Sequence, residues 1–340
     1  PTECGVTRLT LSRSKHLAPF VSLLNQAGER VDRILTKSRL PADCLGDPET
    51  TIPANAVFHF RELTGHALGT PNIALNMSRD LDFARLGELG RAILSAPTLY
   101  RSLTTFRDLI HTETTITKLE LVRFESGDVR LSYRFDQAPE DRICHSDLYA
   151  FHWMLKIVRL VSPNWSPSHV WSMSLPEAGR REAFENIGVQ RVDFKHDSTG
   201  FVIPSSMLAL PLTNNRMRGG QTDDDRLRQT ILPTSTTDSL RLAIRSYAGE
   251  AWLSICEVAE VFDSSPRTLQ RLLAAERTSY TRLLEQTRME IAGELLASTE
   301  IVMADIARQV GYLHQTNFTR AFRRWAGVSP REYRHQRRPE

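Results

Sequence analysis

The sequence predicts an α+β amino-terminal domain, helices plus an antiparallel sheet, followed by an all-α carboxy-terminal domain of two helix-turn-helix units. Three observations predict it. The apolar period changes: helical spacing runs to about residue 111, and strict alternation follows in 117–124 and 129–135. A short pattern repeats at constant offset, with Leu269 matching Phe318, Arg271 matching Arg320 and Leu273 matching Phe322. Between these halves lies a polar stretch, 211–234, carrying Asn214-Asn215, Gly219-Gly220 and three acids at 223–225.

The elements follow in order. The first dozen residues, ending near Ser14, are expected to be frayed. Residues 16–27 form a helix with Leu17, Phe20, Val21 and Leu24 on one face, and Gly28 ends it. A second helix covers 31–38, a loop 41–51, and Pro53 starts a helix continuing through 56–68. Another helix is expected at 71–77, and a long one at 86–111 breaks at Ala96-Pro97. The alternating runs around residues 125–128 make a β-hairpin. Then come a helix at 141–161, a strand at 168–175, a short helix at 180–187, and strands at 191–194 and 200–203. Helices first, then a sheet with a helix packed on it, define an α+β domain over 15–210. Residues 211–234 are the linker, and 235–338 the second domain, entered by a helix at 236–249.

In the first unit Ile255, Val258, Ala259 and Phe262 share an apolar face. Ser265 is a fitting N-cap and Pro266 suits the first helical position. Leu269, Leu272 and Leu273 then face inward, which turns Arg267, Gln270 and Arg271 outward. In the second unit Met303, Ile306, Ala307 and Val310 face inward and Gly311 ends the helix. Phe318, Phe322 and Trp325 are expected in the core, with Gln315, Thr316, Thr319, Arg320 and Arg323 on the other side. Arg can bond guanine O6 and N7 together, and Gln can do the same to adenine. A solvated arginine face on an ordinary helical bundle is the plainer account of either helix alone. Two units of the same polarity weigh against it. A joining helix over 279–298 would be a rod of about 30 Å, close to the ~34 Å between successive major grooves on one DNA face.

Charge is distributed to match. The chain holds 43 basic and 40 acidic residues. From Leu240 onward there are 15 Arg, no Lys and 12 acids, so the first 239 residues carry 28 of each sign and the whole excess sits in the second half. That bias suits a phosphate-facing surface, although a solvated basic face explains the charge equally well. Cys4, Cys44, Cys144 and Cys256 lack CxxC or metal spacing and read as reduced, mostly buried residues of a cytoplasmic protein. No secretory leader is expected. The most apolar run, 149–161, is too short to span a bilayer and contains His152, Lys156 and Arg159.

The carboxy-terminal hundred residues resemble the DNA-binding domain of the AraC/XylS transcription regulators. The residues that carry the resemblance are those at 265–273, Asp305-Ile-Ala307, Gly311-Tyr312, those at 317–322, Trp325, Gly327 and those at 329–334. The resemblance implies base-edge readers at Arg267, Gln270 and Arg271, and at Gln315, Thr316, Asn317, Thr319 and Arg320. Its implied partners are double-stranded promoter or operator DNA and RNA polymerase. This chain departs from the family at Leu313-His314, where a small polar cap such as Ser-Asp is usual, at Val302, often Ser, and at Arg277, commonly Gly. The amino-terminal half resembles the effector domain of the ornithine-utilisation and virulence-regulator branch. The cues are the helical start, the break at Ala96-Pro97, the hairpin ending in Leu131-Ser-Tyr-Arg134, and the run at 208–212. That branch is unlike the double-stranded-barrel sugar-binding domain of other members, so arabinose in a family name assigns no ligand. Family members often dimerise through this domain, which makes a homodimer the expected assembly, modulated by a small-molecule effector or a partner.

Little else points to chemistry. Cys144, His145 and His152 share one expected helix, but no third ligand has a firm spacing. Phe151, Trp153 and Trp171 are candidates for an apolar cavity, or plain core aromatics. There is no phosphate loop, GxSxG or HExxH, and the acids Glu177 and Glu182 fall in expected loops. No catalytic residue, metal or cofactor is expected, and the protein is read as no enzyme. The alternative is an enzyme or DNA-repair protein carrying the same kind of DNA-binding module.

Overall fold

The structure is a computed structural model that describes residues 8–70, 73, 81–138, 142–175, 180–212, 231–249 and 252–337. Contacts divide the chain into two units, Thr10–Pro233 and Thr234–Glu340. The helix expected at 71–77, apart from residue 73, and most of the expected linker, 213–230, lie outside the described residues, as does Glu177.

The first unit begins where fraying was expected, and that expectation is corrected. Strand β1 (Leu11–Arg13) pairs antiparallel with β2 (Thr51–Pro53), and Leu11 and Ile52 are fully buried. Three residues are too few for periodicity to show; the strand exists because its partner, some forty residues on, satisfies its backbone. Helices α1 (Ala18–Gln26), α2 (Val31–Ser38) and α3 (Ala54–Leu68) follow. Gly28 closes α1 with φ +73°, a left-handed conformation that costs glycine little. The break at Ala96-Pro97 separates α4 (Gly87–Ser95) from α5 (Leu99–Leu109), and the Thr98 hydroxyl caps α5.

The hairpin of β3 (Thr117–Arg123) and β4 (Val129–Phe135) turns at Gly127, φ +88°. Three further strands, β5 (His169–Trp171), β6 (Arg191–Asp193) and β7 (Thr199–Ile203), complete a five-stranded sheet in the order β3-β4-β7-β5-β6. Its pairings are antiparallel except β5 with β6, which are parallel. A short helix, α7 (Arg180–Glu185), lies on the chain between β5 and β6, so Glu182, expected in a loop, is helical.

The core of this unit is α6 (Cys144–Arg159), which packs on α3, α5 and β7. Twelve of its sixteen residues are buried, so its polar members need partners inside the protein. Asp147 has them. The Tyr133, Ser172, Ser174 and Thr199 hydroxyls all donate to its carboxylate at 2.5–2.7 Å. Burial, then the Asp147 charge, pushes the Tyr133 phenol well above its ordinary value and keeps it a donor. This hub shortens the strand expected at 168–175: regular pairing stops at Trp171, and Ser172 and Ser174 turn their hydroxyls onto Asp147.

The second unit is helical throughout its described residues: α8 (Ser205–Leu208) closes the first unit, and α9 (Thr236–Tyr247) opens the second. Ser235 caps α9, and the Glu276 carboxylate accepts the Thr236 and Thr237 N–H groups at 2.8 Å each. Burial alone would raise the Glu276 carboxyl, but hydrogen bonds from Thr237 and Thr236 hold it below its usual value.

Candidate nucleic-acid interface

The first helix-turn-helix is α10 (Ile255–Val261) and α11 (Pro266–Ala275). A reciprocal capping box between Ser254 and Glu257 starts α10. The turn passes through Asp263 at φ 47°, and Ser265 caps α11 by accepting the Thr268 N–H at 3.1 Å. Pro266 occupies the first turn, where its missing N–H costs nothing. Burial of Leu269, Leu272 and Leu273 fixes the rotation of α11, and Arg267, Gln270 and Arg271 are exposed on its other face.

The bridging helix α12 (Tyr280–Ser298) has 19 residues, capped by Ser279, and so spans about 28 Å. The second helix-turn-helix is α13 (Met303–Gln309) and α14 (Gln315–Ala326), followed by α15 (Pro330–Arg337). One apolar cluster joins α12, α13 and α14 through Met289, Ala292, Leu296, Ile306, Val310 and Phe318. Phe322 packs edge-on against Tyr333 of α15 at 5.2 Å. Gly311, φ +83°, leaves no room for a side chain: a Cβ there would sit 2.7 Å from Cδ1 of Trp252. That indole is fixed by its own N–H to Gln309 O at 3.1 Å and by the Arg288 guanidinium 4.8 Å over its ring. A residue ahead of the first unit is thus locked onto the turn of the second.

Of the nine residues expected to face DNA, Gln315, Thr316, Asn317, Arg320 and Arg323 are exposed on α14, as the three on α11 are. Thr319 differs. It is half-buried, and its hydroxyl donates to Gln315 O at 2.9 Å. Trp325, expected in the core, is 41% exposed, a correction. Gly327 ends the helix two residues later, and Phe322 lies 5.4 Å from the ring. The three departures from the family each leave a trace. His314 and Val302 hold N-cap positions without a side-chain cap, and Arg277 adopts φ 57°, a conformation that favours glycine. Leu313, beside His314, is 92% exposed.

The other candidates separate. His152 bonds Leu148 O through Nδ1 at 2.8 Å and lies apart from Cys144 and His145. Burial holds both His145 and His152 down to about 4, so both rings are neutral near pH 7. The structure instead brings Glu62 of α3 to Cys144 and His145, with donor atoms all within 4.8 Å. Glu62 was not legible as a partner because it lies some eighty residues away. Its carboxylate also accepts the His145 N–H at 2.9 Å, and the positive charge of Arg180 opposes a cation there. Of the aromatics expected around a cavity, Trp153 lines one, whereas Phe151 packs in the core against Phe184 and Phe201. Cys44 is buried, Cys144 half-buried and Cys256 exposed. Among the described residues no helix is long and apolar enough to cross a membrane.

Comparison with known proteins gives two family matches. Residues 258–336 match the helix-turn-helix domain, and residues 28–212, more than half of the chain, match the arabinose-binding domain of AraC transcription regulator, amino-terminal. The chain is 23% identical over 331 residues to the HTH-type transcriptional regulator VirS of Mycobacterium tuberculosis, covering 96% of each. It is 22% identical over 323 residues to the ornithine utilization regulator of Pseudomonas aeruginosa, covering 93% of this chain and 94% of that one. A solved structure, the transcriptional regulator CdpR from Pseudomonas aeruginosa, aligns with 90% of this chain and 96% of its own at 19% identity and a TM-score of 0.41. With its helix-turn-helix part and the amino-terminal domain both matched, the chain belongs to the AraC family of transcription regulators.

Proposed function

We propose that the protein regulates transcription by placing α11 and α14 in successive major grooves of promoter or operator DNA. The observation that carries this reading is the pair of helices, each rotated by its buried leucines or phenylalanines so that a polar, cationic face points outward, joined by one 19-residue helix. Arg267, Gln270 and Arg271 on α11, and Gln315, Thr316, Asn317, Thr319 and Arg320 on α14, are the base readers in this reading. Arg323, two turns into α14, is the phosphate contact, because the first turns of a recognition helix usually meet the bases. RNA polymerase is the second partner, and a small ligand held by the amino-terminal domain sets the response. The reading is of a regulator rather than an enzyme, working on the nucleoid in the cytoplasm. Residues 15–210 and 235–338 act as separate domains joined through 211–234.

The test uses a duplex recovered by selection from random DNA. Arg271→Ala should cost ~1–3 kcal/mol on that duplex and much less on a scrambled one. Arg323→Ala should weaken both about equally and lower the slope of log affinity against log salt by roughly one. Equal losses on the two duplexes for Arg271→Ala would remove it from the base readers.

Assembly belongs to the same proposal. The hairpin β3–β4 places β3 at the edge of the sheet, where no strand among the described residues pairs with its far side. We propose a homodimer through the amino-terminal domain. Light scattering should give twice the chain mass at micromolar concentration; a monomer, free and DNA-bound alike, would overturn it.

A further inference from the structure

Among the described residues, the amino-terminal domain holds a buried cation that no carboxylate touches. Arg61 of α3 is only 6% exposed. Its guanidinium donates to Ser146 Oγ at 3.1 Å and to His16 O at 3.4 Å, both uncharged acceptors, and its Nε has no acceptor. It lies over the Tyr149 ring at 4.4 Å and the Phe20 ring at 5.2 Å. Burial brings it down to about 10, so it stays protonated at neutral pH. The nearby carboxylates are engaged elsewhere. Glu113 pairs with Lys15 at 2.9 Å and with His16 at 3.2 Å, and Glu62, whose charge acts on Arg61 without an ion-pair contact, accepts the His145 backbone N–H. A buried charge of this kind is costly unless something pairs with it.

Arg61 borders a cavity between α3, α5, α6 and the hairpin. The cavity measures about 60 Å³. It is therefore narrow, suited to a slender chain or a flat ring. Phe58, Phe106, Phe135, Leu89, Trp153 and Met154 supply an apolar lining. Most of the polar groups beside them are already committed, the Trp153 indole N–H being an exception. The Tyr133 phenol bonds Asp147, the Tyr149 hydroxyl and His16 Nδ1 share a bond of 3.1 Å, and the Thr114 hydroxyl donates to Leu11 O. A sugar would bury more hydroxyls than the few free donors here can satisfy.

We propose that this cavity binds a small monocarboxylic acid with an apolar body, its carboxylate paired with Arg61 and its body among the aromatic side chains. The proposal rests on the reading of this domain as ligand-responsive, and names the chemistry of the ligand. A carboxylate supplies the missing counter-ion and matches the planar guanidinium fork. An apolar body needs no hydrogen bonds from a lining that has few left to give.

The test is thermal unfolding and calorimetry of the full-length protein without DNA, so that it stands or falls apart from the DNA contacts. The probes are butanoate, hexanoate, octanoate, decanoate and benzoate, each beside its matched primary alcohol. At least one acid should bind saturably, at least about tenfold tighter than its alcohol, and Arg61→Met should erase that preference. Absence of binding by every acid, equal binding of acid and alcohol, or an acid preference that survives in Arg61→Met would overturn the proposal. Should Arg61→Met fail to fold, the comparison of acid with alcohol on the unaltered protein decides alone.

Discussion

Asp147→Ala should destabilise the amino-terminal domain by about 3–5 kcal/mol, among the largest effects of any single side chain outside the apolar core. Four hydroxyls from β4, the segment after β5, and β7 converge on one carboxylate that is fully buried on α6. Each hydrogen bond to a charged acceptor is worth roughly 1.5–3 kcal/mol net, and a stranded buried donor costs about 1–3. The four share one carboxylate, so their losses do not add. The freed hydroxyls can also rotate towards one another, which trims the cost. Asp147→Asn should cost about half as much, since one oxygen still accepts while the new amide must donate. Urea unfolding of the full chain, followed by near-ultraviolet circular dichroism, measures this. The midpoint for Asp147→Ala should fall by at least ~1 M, given a slope of about 1–3 kcal/mol per molar for small proteins. A midpoint unchanged from the parent protein would show that Asp147 does not hold the sheet to α6.

Gly311→Ala should cost about 2–5 kcal/mol and weaken DNA binding with it. Two penalties combine. A residue with a Cβ pays ~1–2 kcal/mol for the left-handed conformation at φ +83°. The Cβ also lands 2.7 Å from Trp252 Cδ1 and 2.9 Å from its Nε1, and forcing extra carbon into a packed site costs about 1–3 kcal/mol. The indole cannot retreat without giving up its bond to Gln309 and its stacking with Arg288. Gly327 provides the comparison: φ is +78°, but a Cβ there meets nothing within 4 Å. Gly327→Ala should therefore show the backbone penalty alone. Thermal unfolding and duplex titration of both variants measure the difference. Equal destabilisation at the two positions would mean that the contact with Trp252 places no constraint on the second turn.

Much of this architecture was legible because it rests on local rules. The helix 31–38, the hairpin, the Ser265-Pro266 start of α11 and the Gly311 stop declare themselves through periodicity, caps and turn residues, which act within a few positions of one another. So did the outward face of α11, because burying Leu269, Leu272 and Leu273 leaves Arg267, Gln270 and Arg271 only one side to occupy. Trp325 was misjudged for a related reason. Helical spacing gives a face, but the depth of a residue depends on what packs against it, and Trp325 stands near the end of α14 with Phe322 beside it and 41% of its surface exposed.

By itself the sequence determined the two-part plan, most of the described elements of each part, the tandem helix-turn-helix with its outward polar faces, and the family. These follow from short-range periodicity, capping and a repeat, which need no knowledge of distant partners. Only the tertiary structure decided that residues 11–13 form a strand, that β5 and β6 run parallel, that Trp252 seats on Gly311, and that Asp147 gathers four hydroxyls. It alone placed Arg61 beside an apolar cavity with no carboxylate among the described residues in contact with it. Each joins residues dozens of positions apart, and long-range pairing is selected by burial and hydrogen-bond satisfaction across the whole fold, a condition no local window of sequence contains.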